Sequence, residues 1–525
     1  MTRIDVHSVN TTVSGFVSTQ GVANFLGIKF AEVTERFRPA RPLPLASLGP
    51  AVAASQYGPR CPQPVNHGRM RRSHLYEGVT ESSNTPVSEQ ECLRLNIYAP
   101  AGAVSARAML PVMVWIHGGG FVFGDGNSEY DGNYLVEESG RLGKPFVFVT
   151  LNYRLGYYGF LSSSELAAEA RSRGEEYHPN PGLYDQRLGL EWVRDNILLF
   201  AGDPDNVTIS GQSAGAWSAL SHLVSDVPLC RRGFVMSTTV ISFPSDAECQ
   251  EIFDQLAART GISDSATGEE KLAALRAIPD HKMSEYSDGA LLLRPAWDPK
   301  WFAGFPGRVR LDQIESLPER VDGLLIGSMK NETANIRPAW SKLSVEKIRE
   351  AVGSVIPDES MKMEIVNAYG LDSHDKETVL RGIVKLTGES FFSLFSEKLG
   401  NFDSNVMVLR FDQPDTFEQS AFHGFAYHCF DLPFLCRFPA VAGEHATSDL
   451  RETTNAFTTA ISRFVSGHQP WEPFHHSRKL MVLDGTRGGL VDSQENETWH
   501  RFFTTEERAR CLVDTGRLLM TYKFN

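Results

Sequence analysis

Short, uninterrupted apolar runs recur along the chain, at residues 112–116 (Val-Met-Val-Trp-Ile), 146–150 (Phe-Val-Phe-Val-Thr), 207–210, 324–326, 406–409 and 480–483. They are continuous rather than alternating and are flanked by Gly, Pro, Asp or Asn. That pattern predicts strands covered on both faces, as in a mostly parallel sheet. In residues 182–197, Leu183, Leu190, Val193 and Ile197 share one helical face, which predicts a crossover helix between two such strands. The N-terminal 30 residues alternate Thr, Val and Gly and predict antiparallel hairpins ahead of the sheet. Helical periodicity is densest over residues 244–400, predicting a mostly helical insertion, and residues 61–92 predict an excursion loop. Without repeats, low-complexity tracts or a long linker, one α/β domain over residues 1–525 is expected.

Composition changes this picture little. Of 525 residues 42% are hydrophobic and 22% charged, enough apolar material for a large buried sheet. The net charge of −13 argues against nucleic acid as a partner, since phosphate binding needs a basic face. No apolar stretch reaches the ~18–20 residues of a membrane-crossing helix, and the start, Met1-Thr-Arg-Ile-Asp-Val, has no signal-peptide core, so a cytoplasmic location is expected, although a mature secreted chain would read the same. The seven cysteines form no C-x-x-C pair and no zinc spacing, and neither a metal nor a cofactor is expected.

Two motifs carry chemistry. Gly211-Gln-Ser213-Ala-Gly215 follows the 207–210 strand and precedes a helical stretch, which is the strand–turn–helix setting of a nucleophile elbow. The serine must sit on a sharp turn, so glycines flank it, and the following helix points backbone N–H groups at any nearby oxyanion. His117-Gly-Gly-Gly120 follows the 112–116 strand. Consecutive glycines are entropically costly, and they make sense where backbone N–H groups must turn inward. The N–H groups of Gly119, Gly120 and Ala214 are the expected donors of an oxyanion hole.

With these motifs in place, the chain resembles the type-B carboxylesterase and lipase family, which includes cholinesterases and large fungal lipases. Further segments carry the resemblance: Phe25-Leu-Gly-Ile-Lys-Phe-Ala31, Glu91-Cys-Leu-Arg-Leu-Asn96, Asn152-Tyr-Arg-Leu-Gly156, Gly182-Leu-Tyr-Asp-Gln-Arg187 and Phe200-Ala-Gly-Asp-Pro204. The resemblance implies an α/β-hydrolase fold, with a large, mostly parallel central sheet flanked by helices. It also implies a Ser…acid…His chain order. Glu332, in Gly327-Ser-Met-Lys-Asn-Glu332-Thr, matches the family's acid, although Asn331 and Thr333 depart from its Asp and Gly; Asn331-Glu-Thr333 also reads as a glycosylation sequon. Two histidines compete for the base. His428, in His428-Cys-Phe-Asp-Leu-Pro-Phe434, fits the family pattern better than His423. Ser213, Glu332 and His428 would then perform acyl transfer on a small-molecule ester.

The resemblance also bears on the substrate. The family's choline-binding tryptophan is absent from residues 61–92, where Tyr76 is the sole aromatic residue, and Gln212 replaces the glutamate before the serine. Choline esters are therefore poor candidates. Trp297, Trp301 and Phe302 resemble the segment that shapes the acyl pocket, and Trp217 beside the elbow joins them as a candidate, although an aromatic cluster is more often a core feature. Cys61 and Cys92 match the family's loop-closing disulfide, so residues 61–92 are expected to form a disulfide-closed lid loop. The same triad would also serve transesterification, lactone or thioester chemistry, and members that have lost the serine act as binding modules. Nothing in the sequence indicates the oligomeric state.

Overall fold

The structure is a computed structural model, and it describes all residues except 1, 9, 65–71, 77–84, 239–242, 287–292, 304–313, 357, 497, 503, 521 and 523–525. The chain divides into two compact units. The first comprises Met1–Phe234, Ile241–Asp322 and Ile461–His468, and the second Val235–Val240, Gly323–Ala460 and Gln469–Asn525.

In the first unit the main strands are β1 (Thr2–His7), β2 (Thr12–Val17), β3 (Val22–Lys29), β4 (Arg94–Pro100), β5 (Leu110–Ile116), β6 (Val147–Leu151) and β7 (Gly202–Gln212). They lie side by side in the order β1-β2-β3-β4-β6-β5-β7. The first four are antiparallel, as the alternation near the N-terminus predicts, and β4 meets β6 antiparallel. At the centre β5 runs parallel to both β6 and β7, with Val114 opposite Val149 on one side and Ile209 on the other. Every residue of β6 is buried, which is why its apolar run is unbroken. The first crossover helix, α1, spans Asn133–Arg141. The predicted crossover helix is α2 (Pro181–Asn196), started by a proline in its first turn and burying Leu183, Leu190 and Val193. Two segments of the family resemblance meet here. Arg154 and Asp185, both fully buried, form a two-pronged ion pair, with Nε and Nη2 each 2.7 Å from a carboxylate oxygen. Removing either partner would strand a buried charge, a loss of roughly 3–5 kcal/mol.

In the second unit β8 (Gly323–Met329), β9 (Val406–Phe411) and β10 (Lys479–Leu483) are parallel, and β11 (Gly489–Asp492) closes the edge antiparallel. Around Trp340, Ile348, Val352, Ile383, Trp499 and Leu512 the helices of this unit build their own apolar core. The 244–400 stretch, expected as a helical insertion, is mostly helical among its described residues. It passes from the first unit to the second at 322/323 and contributes strand β8 on the way. The apolar run 324–326 signals that strand, whereas helical periodicity on either side does not signal a change of unit. Among the described residues, no helix is long and apolar enough to cross a membrane.

Candidate active site

Strand β7 ends at Gln212, helix α3 (Ala214–Val224) begins at Ala214, and Ser213 alone makes the turn between them. Its φ of 58° and ψ of −124° lie outside the regions that L side chains favour. Such a residue costs of order 1–3 kcal/mol and persists where the surroundings enforce it. They do so here through close backbone contact. A Cβ on Gly215 would lie 2.0 Å from the Ile116 carbonyl oxygen, and one on Gly211 would lie 2.4 Å from the Gly215 backbone. Both glycines of the motif are therefore required sterically, because the start of α3 presses on the end of β5.

The glycine triplet lies against the same turn. A Cβ on Gly118 would stand 2.6 Å from the Gln212 carbonyl oxygen and 3.2 Å from the Ser213 Cβ. Gly119 and Gly120 both have positive φ, 109° and 61°. The Gly119 carbonyl accepts from the N–H groups of Val122 and Phe123, each at 3.1 Å, and the Ser213 carbonyl accepts from Trp217 N–H at 3.0 Å. In a trans peptide the N–H points opposite to the C=O. Those bonds therefore turn the N–H groups of Gly120 and Ala214 away from the loop and helix interior. Among the described residues, the N–H groups of Gly119, Gly120 and Ala214 donate to no backbone carbonyl.

The second unit holds the predicted acid and base together. Glu332 is buried three residues beyond β8, and its Oε1 accepts from the Met329 N–H at 2.8 Å, which fixes the carboxylate. Its Oε2 lies 2.6 Å from His428 Nδ1. The two departures from the family pattern have structural work. The Asn331 N–H donates to the Ala426 carbonyl at 2.9 Å, and its Oδ1 accepts from the Ala426 N–H at 3.1 Å, clasping the histidine loop. Thr333 is buried and bonds to the Val384 carbonyl and the Thr387 hydroxyl, while Asn331 is half-buried. Burial disfavours the His428 imidazolium, but the neighbouring Cys429 and Glu332 favour it more, and together they raise its pKa well above the ordinary histidine value. The rival, His423, is exposed and lies 3.2 Å from the Phe417 carbonyl oxygen through Nδ1, with no carboxylate in that contact.

The aromatic candidates separate into two groups. Trp217 meets Phe121 and Phe243 edge-on, and Phe243 in turn meets Trp297 and Phe302, which stack on each other at 5.3 Å. Sequence reasoning missed Phe121 and Phe243. The position of Phe121 directly after the glycine triplet was a usable signal, whereas Phe243 offered none. Trp301 belongs elsewhere. It is buried against Tyr184, His222 and the Arg187 guanidinium, with its Nε1–H donating to the Ser221 carbonyl at 3.2 Å. Expected beside Trp297 and Phe302, its ring instead joins a different cluster one turn of chain further on.

Cys61 and Cys92, the expected disulfide pair, stand together here without a covalent bond between them. Both are buried thiols and neighbours: burial, and after it the adjacent Cys61, push the Cys92 pKa up. Each has a partner of its own: Cys61 Sγ accepts from the Leu155 N–H at 3.3 Å, and the Cys92 thiol donates to the Glu89 carbonyl at 3.2 Å. Much of the predicted lid, at 65–71 and 77–84, lies outside the described residues. Its Tyr76 hydroxyl donates to Glu129 at 2.8 Å. Among the described residues, no group of three His, Cys, Asp or Glu side chains is placed to hold a metal ion.

Comparison with known proteins gives the family and the fold. The model of the carboxylesterase family matches residues 4–516. The chain is 40% identical over 232 residues to lipase 1 of Geotrichum candidum, covering 41% of this chain and 39% of that protein. It is 26% identical over 523 residues to the para-nitrobenzyl esterase of Bacillus subtilis, covering 95% and 99%. The alignments to the fungal lipases span between 39% and 48% of those proteins' length. A thermophilic PNB esterase structure superposes with a TM-score of 0.72 at 24% identity, over 97% of this chain and 99% of that one. That likeness is one of fold, the large mixed sheet flanked by helices of an α/β hydrolase.

Proposed function

The chain belongs to the carboxylesterase family, and on that premise we propose that it hydrolyses carboxylic esters through an acyl-enzyme formed on Ser213. Ser213 Oγ attacks the ester carbonyl while His428 accepts its proton and later returns it to the leaving alcohol. Water then releases the acid by the same route in reverse roles. Glu332 fixes the histidine tautomer by accepting from Nδ1–H and stabilises the imidazolium that forms. The N–H groups of Gly119, Gly120 and Ala214 receive the oxyanion, each contributing of order 2.7–4 kcal/mol in the transition state by analogy with measured donors.

The observation that carries this reading is the turn at Ser213, held at φ 58° with the glycine triplet packed against its Cβ. The aromatic group of Trp217, Phe243, Trp297 and Phe302 supports neutral substrates with apolar acyl parts. Replacement of Ser213 by alanine tests the proposal: kcat on neutral aryl esters is expected to fall at least ~10³-fold with the fold intact. A Ser213→Ala variant that keeps its activity would remove the nucleophile and the mechanism with it.

A further inference from the structure

The proposed reaction leaves two buried groups beside the glycine triplet without a role. His117 is 1% exposed, and its ring stacks on that of Tyr153 at 4.4 Å and 20°. The Tyr153 hydroxyl donates to the His117 backbone carbonyl at 2.9 Å. His117 Nδ1 lies 2.8 Å from the Gly118 carbonyl oxygen, which can only accept, so this nitrogen carries the proton. Burial pushes the imidazole pKa down and keeps the ring neutral. Nε2 is then a lone-pair acceptor, and among the described residues it is buried with no partner. Folded proteins seldom leave a buried polar atom unpaired unless the arrangement returns something.

Peptide geometry indicates the return. Of the three inward donors, Gly120 is aimed by the bonds to the Gly119 carbonyl and Ala214 by the bond to the Ser213 carbonyl. The donor at Gly119 needs an anchor on the Gly118 carbonyl, because that C=O and the Gly119 N–H belong to one trans peptide and point in opposite directions. The His117 ring is that anchor. Bare glycine closes the clasp on a further side: a Cβ on Gly124, at φ 114°, would lie 2.6 Å from His117 Nδ1 and 2.7 Å from the Gly118 oxygen. We propose that His117 and Tyr153 are a positioning pair, in which Tyr153 seats His117 and His117 turns the Gly118–Gly119 peptide so that the Gly119 N–H faces the oxyanion. The proposal rests on the ester-hydrolase reading. Neither residue touches substrate, and their effect is confined to the transition state.

Three variants test it: Tyr153→Phe, which keeps the ring stack and loses only the hydroxyl, His117→Leu, which loses the donor, and His117→Asn, whose amide N–H stands close to where Nδ1–H stands. Steady-state kinetics on p-nitrophenyl butyrate are read beside the inhibition constant of an aryl trifluoromethyl ketone. That ketone bonds its carbonyl carbon to Ser213 Oγ, passes the serine proton to His428 and leaves its oxygen as an oxyanion. Tyr153→Phe and His117→Leu are expected to lower kcat by ~10–100-fold with KM changed less than ~2-fold, and to weaken the ketone by the same factor. His117→Asn is expected to recover most of that loss. Wild-type kcat in Tyr153→Phe, an Asn variant no better than Leu, or a ketone affinity that does not follow kcat would each overturn the proposal. Should His117→Leu fail to fold, the other two variants carry the comparison. A wild-type chain inactive on esters would overturn the ester-hydrolase reading and this inference with it, whereas an active enzyme with unaffected variants overturns only the inference.

Discussion

Adding one methyl group at Gly215 should separate a steric requirement from a general preference for small residues. A Cβ there would meet the Ile116 carbonyl oxygen at 2.0 Å and that of His117 at 2.8 Å. Ordinary carbon–oxygen contact begins near ~3.4 Å, so α3 or the end of β5 must retreat by more than ~1 Å. Neither yields easily: β5 is bonded to strands on both sides, and α3 is buried along its whole length. Overpacking of this kind costs typically ~1–3 kcal/mol of stability. The displacement also moves Ser213 relative to the glycine triplet, and misplacement by ~1 Å is enough to cost ~10²-fold in rate. Gly140 provides the control, since it lies in α1 with nothing within 4 Å of a would-be Cβ. Gly140→Ala should therefore leave kcat unchanged and stabilise by ~0.5–1 kcal/mol. Thermal unfolding and kcat on p-nitrophenyl butyrate, measured for both variants, give the comparison. A Gly215→Ala enzyme with wild-type kcat and midpoint would refute the close-approach argument for the elbow.

Other expectations concern the base and the aromatic residues. As pH falls through the raised pKa of His428 the ring gains the proton that blocks it as a base, so kcat/KM should fall with a midpoint above the ordinary value of about 6.5. Glu332→Gln removes a group that raises this pKa and should shift the midpoint downward while cutting kcat; an unmoved midpoint in the pH–rate profile would assign the acid limb to another group. His428→Ala should be nearly inactive and His423→Ala close to wild type, and the opposite ranking in a kcat assay would exchange the two. Trp297→Ala should change the kcat/KM ratio between bulky and short acyl esters by roughly 1–3 kcal/mol in apparent free energy. Trp301→Ala should leave that ratio alone and lower the unfolding midpoint, and the reverse pattern would restore Trp301 to the pocket.

What could be read from sequence, and what could not, follows from what each signal encodes. The apolar runs at 112–116 and 146–150 mark strands because both faces of β5 and β6 are covered, leaving no polar alternation. The elbow and the glycine triplet were readable because backbone contact at Gly118, Gly211 and Gly215 permits no other residue type. Strand β7 was underestimated, since its first half carries Asp203, Asp205 and Asn206, whose polarity hides it from a hydropathy argument. Trp301 shows the limit of composition: an aromatic residue announces burial but not the cluster it joins. Cys61 and Cys92 show the same for spacing, which brings two cysteines together while the compartment sets whether they are oxidised. The passage from one compact unit to the other at 322/323 has no composition boundary, because the strand that opens the second unit is as apolar as those of the first.

The most direct test of the account is covalent. An organophosphonate carrying a neutral apolar group phosphonylates only a serine oxygen that has both a base to take its proton and donors to receive the developing oxyanion. Incubated with the full chain and followed by peptide mass spectrometry, the reagent should add one group per molecule, at Ser213, with esterase activity lost in proportion and labelling abolished in His428→Ala. Modification at Ser210 or Ser218, or loss of activity without modification of Ser213, would contradict the assignment of the nucleophile on which the mechanism depends.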